Sequence, residues 1–333
     1  MAEHTIYYRN QPRIISAYAV AGPKEGAGPI GRHVQKVLED DKFGEKTYEK
    51  AECKILKTAI EGAIASAKIE IQDVGALFSG DLLNQIISAS FAAREFDMPF
   101  VGLYSACSTM GESMMVSAAF LDSKQLRYAV SATGSHFSSA ERQYRYPLEL
   151  GCTRPPQSQW TVTGAGACVL SVVGNGPRIT AATIGRVVDF GVTDANNMGA
   201  AMAPAASNTL WMHFKETGRM PEDYDLIVTG DLGVLGSKLV KELVWEKGYD
   251  ISKNHVDCGE LIYAIKEQEF QGGSGAGCSA VTFCSYLYPK LCDGSLKRIL
   301  FMPTGALLST VSTQQGESIP CIAHAVVIES AVK

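Results

Sequence analysis

The feature of this sequence that most restricts its fold is an internal repeat. Residues 73–82 (DVGALFSGDL) return as residues 223–232 (DYDLIVTGDL), so that each position recurs 150 residues later. A second set of matches is spaced by 171 residues: Cys107-Ser108 with Cys278-Ser279, and Thr133-Gly134 with Thr304-Gly305. In each half a turn of small residues leads into a helix and then a buried strand. The repeat predicts a duplicated βαβαβ unit.

Apolar periodicity supports an α/β fold. The predicted strands are residues 13–20, 74–78, 100–104 and 128–132, and the predicted helices are 47–68, 84–96 and 109–121. Residues 162–173 and 178–189 are expected to form a β-hairpin that turns at 174–176. Strands that alternate with helices imply a largely parallel sheet with both faces covered.

The repeat also sets the expected domain organisation. The first half is predicted to span residues 1–175, with a surface-loop insertion at about 140–160, and the second half residues 176–333. The two halves are expected to share one continuous core.

With 30 basic and 35 acidic residues the chain carries a net charge of −5, which excludes a generally basic surface for nucleic acid. No apolar leader or membrane-spanning run is visible, which predicts a soluble chain.

One of the nine cysteines has a distinctive setting. Their odd number and wide spread indicate reduced thiols, and the absence of Cys-x-x-Cys spacing predicts no metal site. Cys107 follows a predicted strand and begins a predicted helix, where free N–H groups and the helix dipole lower a thiol's pKa and favour the thiolate. The alternative is a small buried residue that caps the helix.

No cofactor is predicted. Residues 26–31 fit the G-x-G-x-x-G pattern of dinucleotide sites, but Pro29 removes an N–H group that a pyrophosphate would need.

The segment Ser105-Ala106-Cys107-Ser108, inside a duplicated α/β chain of this length, resembles the thiolase superfamily, including its β-ketoacyl synthase III branch. The resemblance implies a layered α-β-α-β-α fold in which the cysteine accepts an acyl group. It also implies two further catalytic groups from the second half, either two histidines or a histidine and an asparagine.

The second half departs from that family pattern. Where the family has its catalytic histidine after a strand, this chain has Thr229-Gly230-Asp231-Leu232, and the segment that matches the family's Asn or His motif is residues 271–277, with neither residue. A condensation needs a base or a donor pair opposite the cysteine, so no catalytic residue is expected. Asp231 is interpreted as a carboxylate that orients a ligand or as an ordinary helix cap. His136 is interpreted as a pocket residue or as a locally bonded loop histidine.

A closer resemblance rests on the strings FSGDLLNQ, LYSACSTMGES, QSQWTVTGAG and LFMPTGALLS. Together they are similar to the stage V sporulation protein AD family of spore-forming bacteria. That resemblance implies a homodimer that binds dipicolinic acid (pyridine-2,6-dicarboxylate), as such or as its calcium chelate. It also implies a peripheral location on the spore inner membrane, beside membrane-embedded proteins of the same operon.

A planar dianion needs cations or N–H donors together with apolar walls. Arg142, Arg145 and Arg154 are candidate cations, and the glycine-rich residues 272–277 are candidate N–H donors. The predicted ligand-binding residues are Cys107, His136, Arg142, Arg145, Asp231, Gly273 and Ser274. Two alternatives stay open: an active acyltransferase that uses Cys107 with His136 or His255 as base, and a structural scaffold for a membrane complex.

Overall fold

The computed structural model of the chain describes residues 3–145, 153–265 and 271–332. Its strands are β1 (Thr5–Tyr7), β2 (Arg13–Ala21), β3 (Lys36–Val37), β4 (Ala76–Gly80), β5 (Phe100–Gly102), β6 (Tyr128–Ser135), β7 (Trp160–Thr161), β8 (Gly164–Ser171), β9 (Arg178–Thr183), β10 (Leu226–Thr229), β11 (His255–Asp257), β12 (Gly273–Ser274), β13 (Arg298–Met302), β14 (Thr304–Ala306), β15 (Cys321–Ala323) and β16 (Ala325–Glu329). Its helices are α1 (Pro23–Gly26), α2 (Tyr48–Ala67), α3 (Ile87–Ala93), α4 (Thr109–Asp122), α5 (Phe137–Tyr144), α6 (Met198–Thr217), α7 (Gly233–Trp245), α8 (Cys258–Ile262), α9 (Ala276–Thr282), α10 (Tyr288–Cys292) and α11 (Thr310–Gln314).

The two halves build sheets of identical topology. The first sheet has the strand order β5-β4-β6-β8-β2, and the second has the order β11-β10-β13-β16-β9. In each sheet the first three strands are parallel and the last two are antiparallel to their neighbours. The sheets meet where Arg13 of β2 pairs with Arg178 of β9. This arrangement confirms the duplicated α/β unit predicted from the repeat.

Side-chain alternation along the strands produces five layers. In β13, Ile299 and Phe301 face the central core, whereas Leu300 and Met302 face an outer core. The central core contains residues of α4 and α9 between the two sheets. Helices α2 and α3 cover the outer face of the first sheet, and α6 and α7 cover that of the second. The layers are therefore α-β-α-β-α, as the resemblance implied.

Helix α2 shows why local sequence predicts these elements well. The Thr47 hydroxyl accepts a hydrogen bond from the Lys50 N–H and begins the helix, and Lys68, in the left-handed conformation, ends it. Ile55, Ala59 and their helical neighbours are buried against the sheet. The predicted range 47–68 is correct to within one residue at each end.

The predicted hairpin is wrong. Strand β8 pairs with β2 and β6, whereas β9 pairs with β16 and β1. Gly174 and Gly176, both with positive φ, carry the chain from one sheet to the other instead of back along β8. Strand β9 also ends at Thr183 rather than at residue 189. Local turn chemistry cannot reveal this because β2, from far away in sequence, occupies the edge that the hairpin needed.

Two other predictions need correction. The predicted helix 84–96 is shorter: it begins as a 3₁₀ turn, and α3 covers only Ile87–Ala93. The predicted loop at 140–160 is partly regular, because α5 extends to Tyr144 and β7 begins at Trp160; residues 146–152 lie outside the described residues. In the described part of the chain, no helix is long and apolar enough to cross a membrane.

Candidate functional site

A cavity of about 300 Å³ lies where the loops after β4 and β10 meet the turn before α4. Its volume is at the small end of the range for ligand sites. Polar lining residues include Asp81, Cys107, Tyr144, Arg145, Thr161, Asp231 and Ser274, and apolar ones include Leu83, Ile86, Met198, Met202, Ala306 and Leu308. Both halves of the duplication contribute to this lining. The cavity is therefore a site that neither half forms alone.

A strained turn holds Cys107 at the cavity. Ala106, directly before it, has φ of +49°, a conformation that costs an L-residue roughly 1–2 kcal/mol. The second half packs tightly on this turn: the Ser108 hydroxyl donates to the Pro303 carbonyl at 2.7 Å. A Cβ on Gly305 would lie only 2.2 Å from the Ser105 carbonyl oxygen. The close approach of β14 thus fixes the thiol's position.

Asp231 faces the thiol from the second half. Its Oδ1 accepts a hydrogen bond of 2.6 Å from the Thr304 hydroxyl. Its Oδ2 accepts two hydrogen bonds of 3.2 Å, from the Ser274 hydroxyl and the Gly275 N–H. Complete burial raises the pKa of Asp231 to about 6, against the lowering effect of the Thr304 and Cys107 hydrogen bonds. The carboxyl group is thus held by two hydroxyl groups that can reorient and by one long hydrogen bond from the backbone N–H at the start of α9.

The Cys107 thiol is not activated. Burial raises the pKa of Cys107 well above its ordinary value, and the adjacent Asp231 carboxylate raises it further. The expectation of a thiolate at the helix N-terminus is therefore wrong. Desolvation and a neighbouring negative charge outweigh the helix dipole, which falls off within the first turn. At neutral pH the group that faces the cavity is a protonated thiol.

Among the described residues that line the cavity, Arg145 has the only cationic side chain. It follows α5, and its side chain is only 7% exposed. Its guanidinium forms an ion pair with buried Glu141 and donates to the Ala195 carbonyl at 3.3 Å. Glu141 also pairs with Arg154 at 3.1 Å and accepts a hydrogen bond from Thr161 at 3.1 Å. This network anchors the Arg145 side chain beside the cavity.

Three predicted ligand residues lie outside the cavity lining. The His136 ring, buried at the start of α5, contacts the Asp41 carbonyl at 2.8 Å and accepts from the Ser138 N–H at 3.1 Å. Arg142 forms a half-exposed ion pair with Glu49. Gly273 accepts a hydrogen bond from the Gln159 side chain at 3.1 Å. Cys107, Arg145, Asp231 and Ser274, in contrast, line one cavity, and their ligand binding stays a prediction.

The candidate N–H donors of residues 272–277 are partly engaged. The Gly275 N–H binds Asp231, and the Gly277 N–H donates to the Ser135 hydroxyl at 3.0 Å. The second-half glycines therefore support the carboxyl group, whereas an anion would need free donors. His255, considered as a base, contacts the Thr229 hydroxyl at 2.9 Å and is not among the described lining residues.

Sequence reasoning missed one wall of the cavity, which the segment after β4 forms. Asp81 lies in the cavity lining, and Gln85 and Ile86 adopt left-handed backbone conformations there. Burial raises the pKa of Asp81 and, more strongly, that of Glu52 behind it. The repeat could have identified Asp81 as a candidate site residue, because Asp81 is the counterpart of Asp231 at the 150-residue spacing.

The fold and the site define a thiolase-like protein. Solved structures of that fold match nearly the whole chain: Xanthomonas campestris OleA with bound cerulenin (16% identity, TM-score 0.59, 96% of this chain and 98% of that one) and the tetronic acid condensing enzyme AbyA1 (16% identity, TM-score 0.61, 95% and 99%). At these identities the likeness shows the fold alone.

Sequence comparison narrows the class to a family. The family model for stage V sporulation protein AD matches residues 2–329. The Bacillus subtilis (strain 168) stage V sporulation protein AD is 44% identical over 329 residues, which cover 99% of this chain and 96% of that protein. The chain belongs to the stage V sporulation protein AD family, and it is a sporulation protein with a thiolase-like fold.

Proposed function

We propose that the cavity binds dipicolinate without catalysing a condensation. The observation that carries this proposal is the pairing of Cys107 with Asp231. A thiolase-type condensation needs a nucleophilic thiolate and a base or donor pair opposite it. Here burial and the facing carboxylate keep the thiol protonated. A fold that keeps its pocket after losing the catalytic groups can still bind a ligand.

The lining offers groups that suit an aromatic dicarboxylate. Arg145 supplies a charged, partly preorganised donor for a carboxylate, and the hydroxyls of Ser274 and Thr161 supply neutral donors. Leu83, Ile86 and Met202 provide apolar contact for a planar ring. The small volume favours a single-ring ligand over a long acyl chain.

The proposed role is the uptake of dipicolinate into developing spores and its release at germination. The family resemblance also supports membrane-embedded partners encoded in the same operon and a peripheral position on the spore inner membrane.

A homodimer is part of the proposal, and the edge of the first sheet supports it. Strand β5 pairs with β4 along one side, and Val101 is exposed there. Phe91 and Ile87 of α3 and the nearby Tyr104 are also exposed apolar side chains. Among the described residues no strand pairs with the other side of β5, and such an edge flanked by apolar residues is suited to a second copy of the chain.

An active cysteine-dependent acyltransferase is the second candidate. The retained cysteine in a strained turn favours it, and so do the structural neighbours, one of which is described as a condensing enzyme. The alternative bases His136 and His255 do not support it, because each is held by local contacts away from the described cavity lining.

Titration calorimetry on the full chain separates these functions. We expect saturable heat with dipicolinate, measured with and without calcium, and no acylated Cys107 by mass spectrometry after incubation with an acyl-CoA. Acylation of Cys107 would overturn the non-catalytic proposal. Binding of neither compound would leave the third alternative, a structural scaffold.

A further inference from the structure

The charges around the cavity pose a problem for an anionic ligand. Arg145 is the lining cation among the described residues, but Glu141 already pairs with it. Two lining carboxyl groups, Asp81 and Asp231, face the same space. A dicarboxylate that enters with both aspartates ionised meets more negative than positive charge. In a low-dielectric site such repulsion strongly opposes binding unless a proton or cation accompanies the ligand.

Asp231 is the carboxyl group best placed to accept that proton. Its Oδ1 has the short hydrogen bond from Thr304, but both hydrogen bonds to Oδ2 are 3.2 Å long. A proton on Oδ2 weakens these two long contacts, and the Ser274 hydroxyl can rotate away so that the proton points to a ligand; the Cys107 thiol also forms a hydrogen bond to Asp231. Asp81 differs, because two backbone N–H groups hold its two oxygens, from Leu83 at 2.7 Å and from Ala89 at 2.6 Å. Protonation of either oxygen of Asp81 would break a short backbone hydrogen bond, whereas the backbone hydrogen bond that Asp231 would lose, from Gly275, is long.

The titratable groups around Asp231 come from several elements. Asp257 of β11 is a neighbouring carboxyl group, and its negative charge raises the pKa of Asp231. The other neighbours are thiols whose own pKa values burial raises: Cys107 before α4, Cys258 of α8, Cys278 of α9 and Cys321 of β15. Arg145 acts on the same cluster through Cys107. Because the thiols stay protonated, Asp231 and Asp257 carry the charge of this cluster.

Asp257 does not compete for the proton. Its two oxygens accept hydrogen bonds from the N–H groups of Leu232, Gly233 and Gly259 at 2.9 Å and from the Thr229 hydroxyl at 2.6 Å. It is absent from the described lining. The negative charge of Asp257 therefore favours the neutral, protonated form of Asp231.

We infer that Asp231 takes up a proton from solvent when a carboxylate ligand enters the cavity, so that ligand and proton bind together. The proton resides on Oδ2, and the neutral carboxyl group donates it in a hydrogen bond to the ligand carboxylate. This inference rests on the proposed dipicolinate site and adds how that site would recognise a carboxylate, through a proton carried by Asp231.

The inference fixes the sign of the pH dependence. The pKa of Asp231 in the free protein is about 6, and a bound anion raises it. Between these two pKa values the bound state carries a proton that the free state lacks. Affinity therefore falls as pH rises above about 6, by up to about tenfold per pH unit. Acidification favours capture of the ligand, and alkalinisation favours its release.

Calorimetry in buffers of different ionisation enthalpy tests this directly. At about pH 7, dipicolinate binding to the full chain should be accompanied by uptake of about one proton. The Asp231→Asn variant should bind dipicolinate with little proton uptake and an affinity that is flat with pH. Asp293→Asn, at an exposed aspartate that is not among the described lining residues, is the matched control and should retain the uptake. The titration of dipicolinate itself is measured in the same buffers.

The outcomes are distinguishable. Binding of dipicolinate to the wild-type chain without proton uptake would overturn the inference and leave the proposed function intact. Loss of the uptake in Asp81→Asn but not in Asp231→Asn would overturn the assignment to Asp231. No binding of dipicolinate at any pH would overturn both the proposed function and the inference.

Discussion

The two halves of this molecule place an aspartate at the same point of the repeat and use it differently. Asp81 follows β4 and accepts hydrogen bonds from backbone N–H groups, so it organises the loop that leads into α3. Asp231 follows β10 and is held mainly by hydroxyl and thiol groups. The first carboxyl group is a structural anchor, whereas the second can change its protonation state at little structural cost.

The paired cysteines diverge in the same way. Cys107 lines the cavity, whereas Cys278 is fully buried and donates to the Gly230 carbonyl at 3.2 Å. Duplication produced two equivalent turns, but one cavity opens at the first turn and the second supports the core. The comparison teaches that repeat symmetry predicts position, while local packing decides chemistry.

The largest effect on binding is expected from Arg145, a cationic side chain that the first half contributes to the cavity and the second half does not match. Arg145→Ala should weaken dipicolinate binding roughly 10- to 100-fold, because a hydrogen bond to a charged group contributes about 1.5–3 kcal/mol. Arg142→Ala, three residues earlier in the chain and in a surface ion pair with Glu49, should change the affinity less than about twofold. Equal effects in calorimetry would place the ligand elsewhere.

Two equivalent glycines test how closely the halves approach each other. Gly305→Ala brings a Cβ to 2.2 Å from a backbone oxygen of the Cys107 turn, whereas Gly134→Ala brings one to 2.8 Å from the Ala165 side chain. We expect Gly305→Ala to lower the free energy of unfolding by about 1–3 kcal/mol or more, and Gly134→Ala to lower it less. Urea denaturation measures both. A larger loss for Gly134→Ala would contradict the proposed support of the turn by β14.

The paired aspartates should differ in stability when each is made neutral. In Asp81→Asn an amide NH₂ must face either the Leu83 or the Ala89 N–H, which costs about 1–3 kcal/mol. In Asp231→Asn the Ser274 hydroxyl can accept from the new amide, and the Gly275 N–H loses only a long contact of 3.2 Å, so the loss should be smaller. Thermal unfolding at about pH 7 checks the order, and the reverse order would remove the distinction between anchor and proton carrier.

The smallest effect is expected at the paired thiols. Cys278→Ala removes a buried side chain and should cost about 1 kcal/mol, whereas Cys107→Ala at the cavity wall should cost less. Cys107→Ala should also retain dipicolinate binding within a few-fold. If binding vanishes while circular dichroism and unfolding stay unchanged, the thiol contacts the ligand directly.

Much of the fold was predictable because its signals are local. The α2 boundaries follow from capping and helical spacing, and the order of strands and helices follows from apolar runs. Predictions failed where a distant segment intervened. Strand β2 replaced the expected hairpin partner of β8, and the strained residues Gln85 and Ile86 shortened the helix expected at 84–96.

Sequence reasoning identified four residues of the cavity lining, but it did not predict their charge and protonation. The repeat pointed to Asp231, and the motif comparison pointed to Cys107 and Ser274, which line one cavity. Among the loop arginines only tertiary contacts distinguish Arg145 from Arg142, since one is enclosed by Glu141 and the Ala195 carbonyl and the other lies at the surface.

The sequence by itself determined the duplicated α/β unit, the cysteine turn and the absence of the expected histidine and asparagine at the matching positions. These are properties of residue order, which a repeat and a motif record directly. The tertiary structure decided the protonation of Cys107, the different uses of Asp81 and Asp231, and the assembly of one cavity from both halves. Such properties depend on desolvation and on charges brought together across more than a hundred residues, which local patterns do not encode.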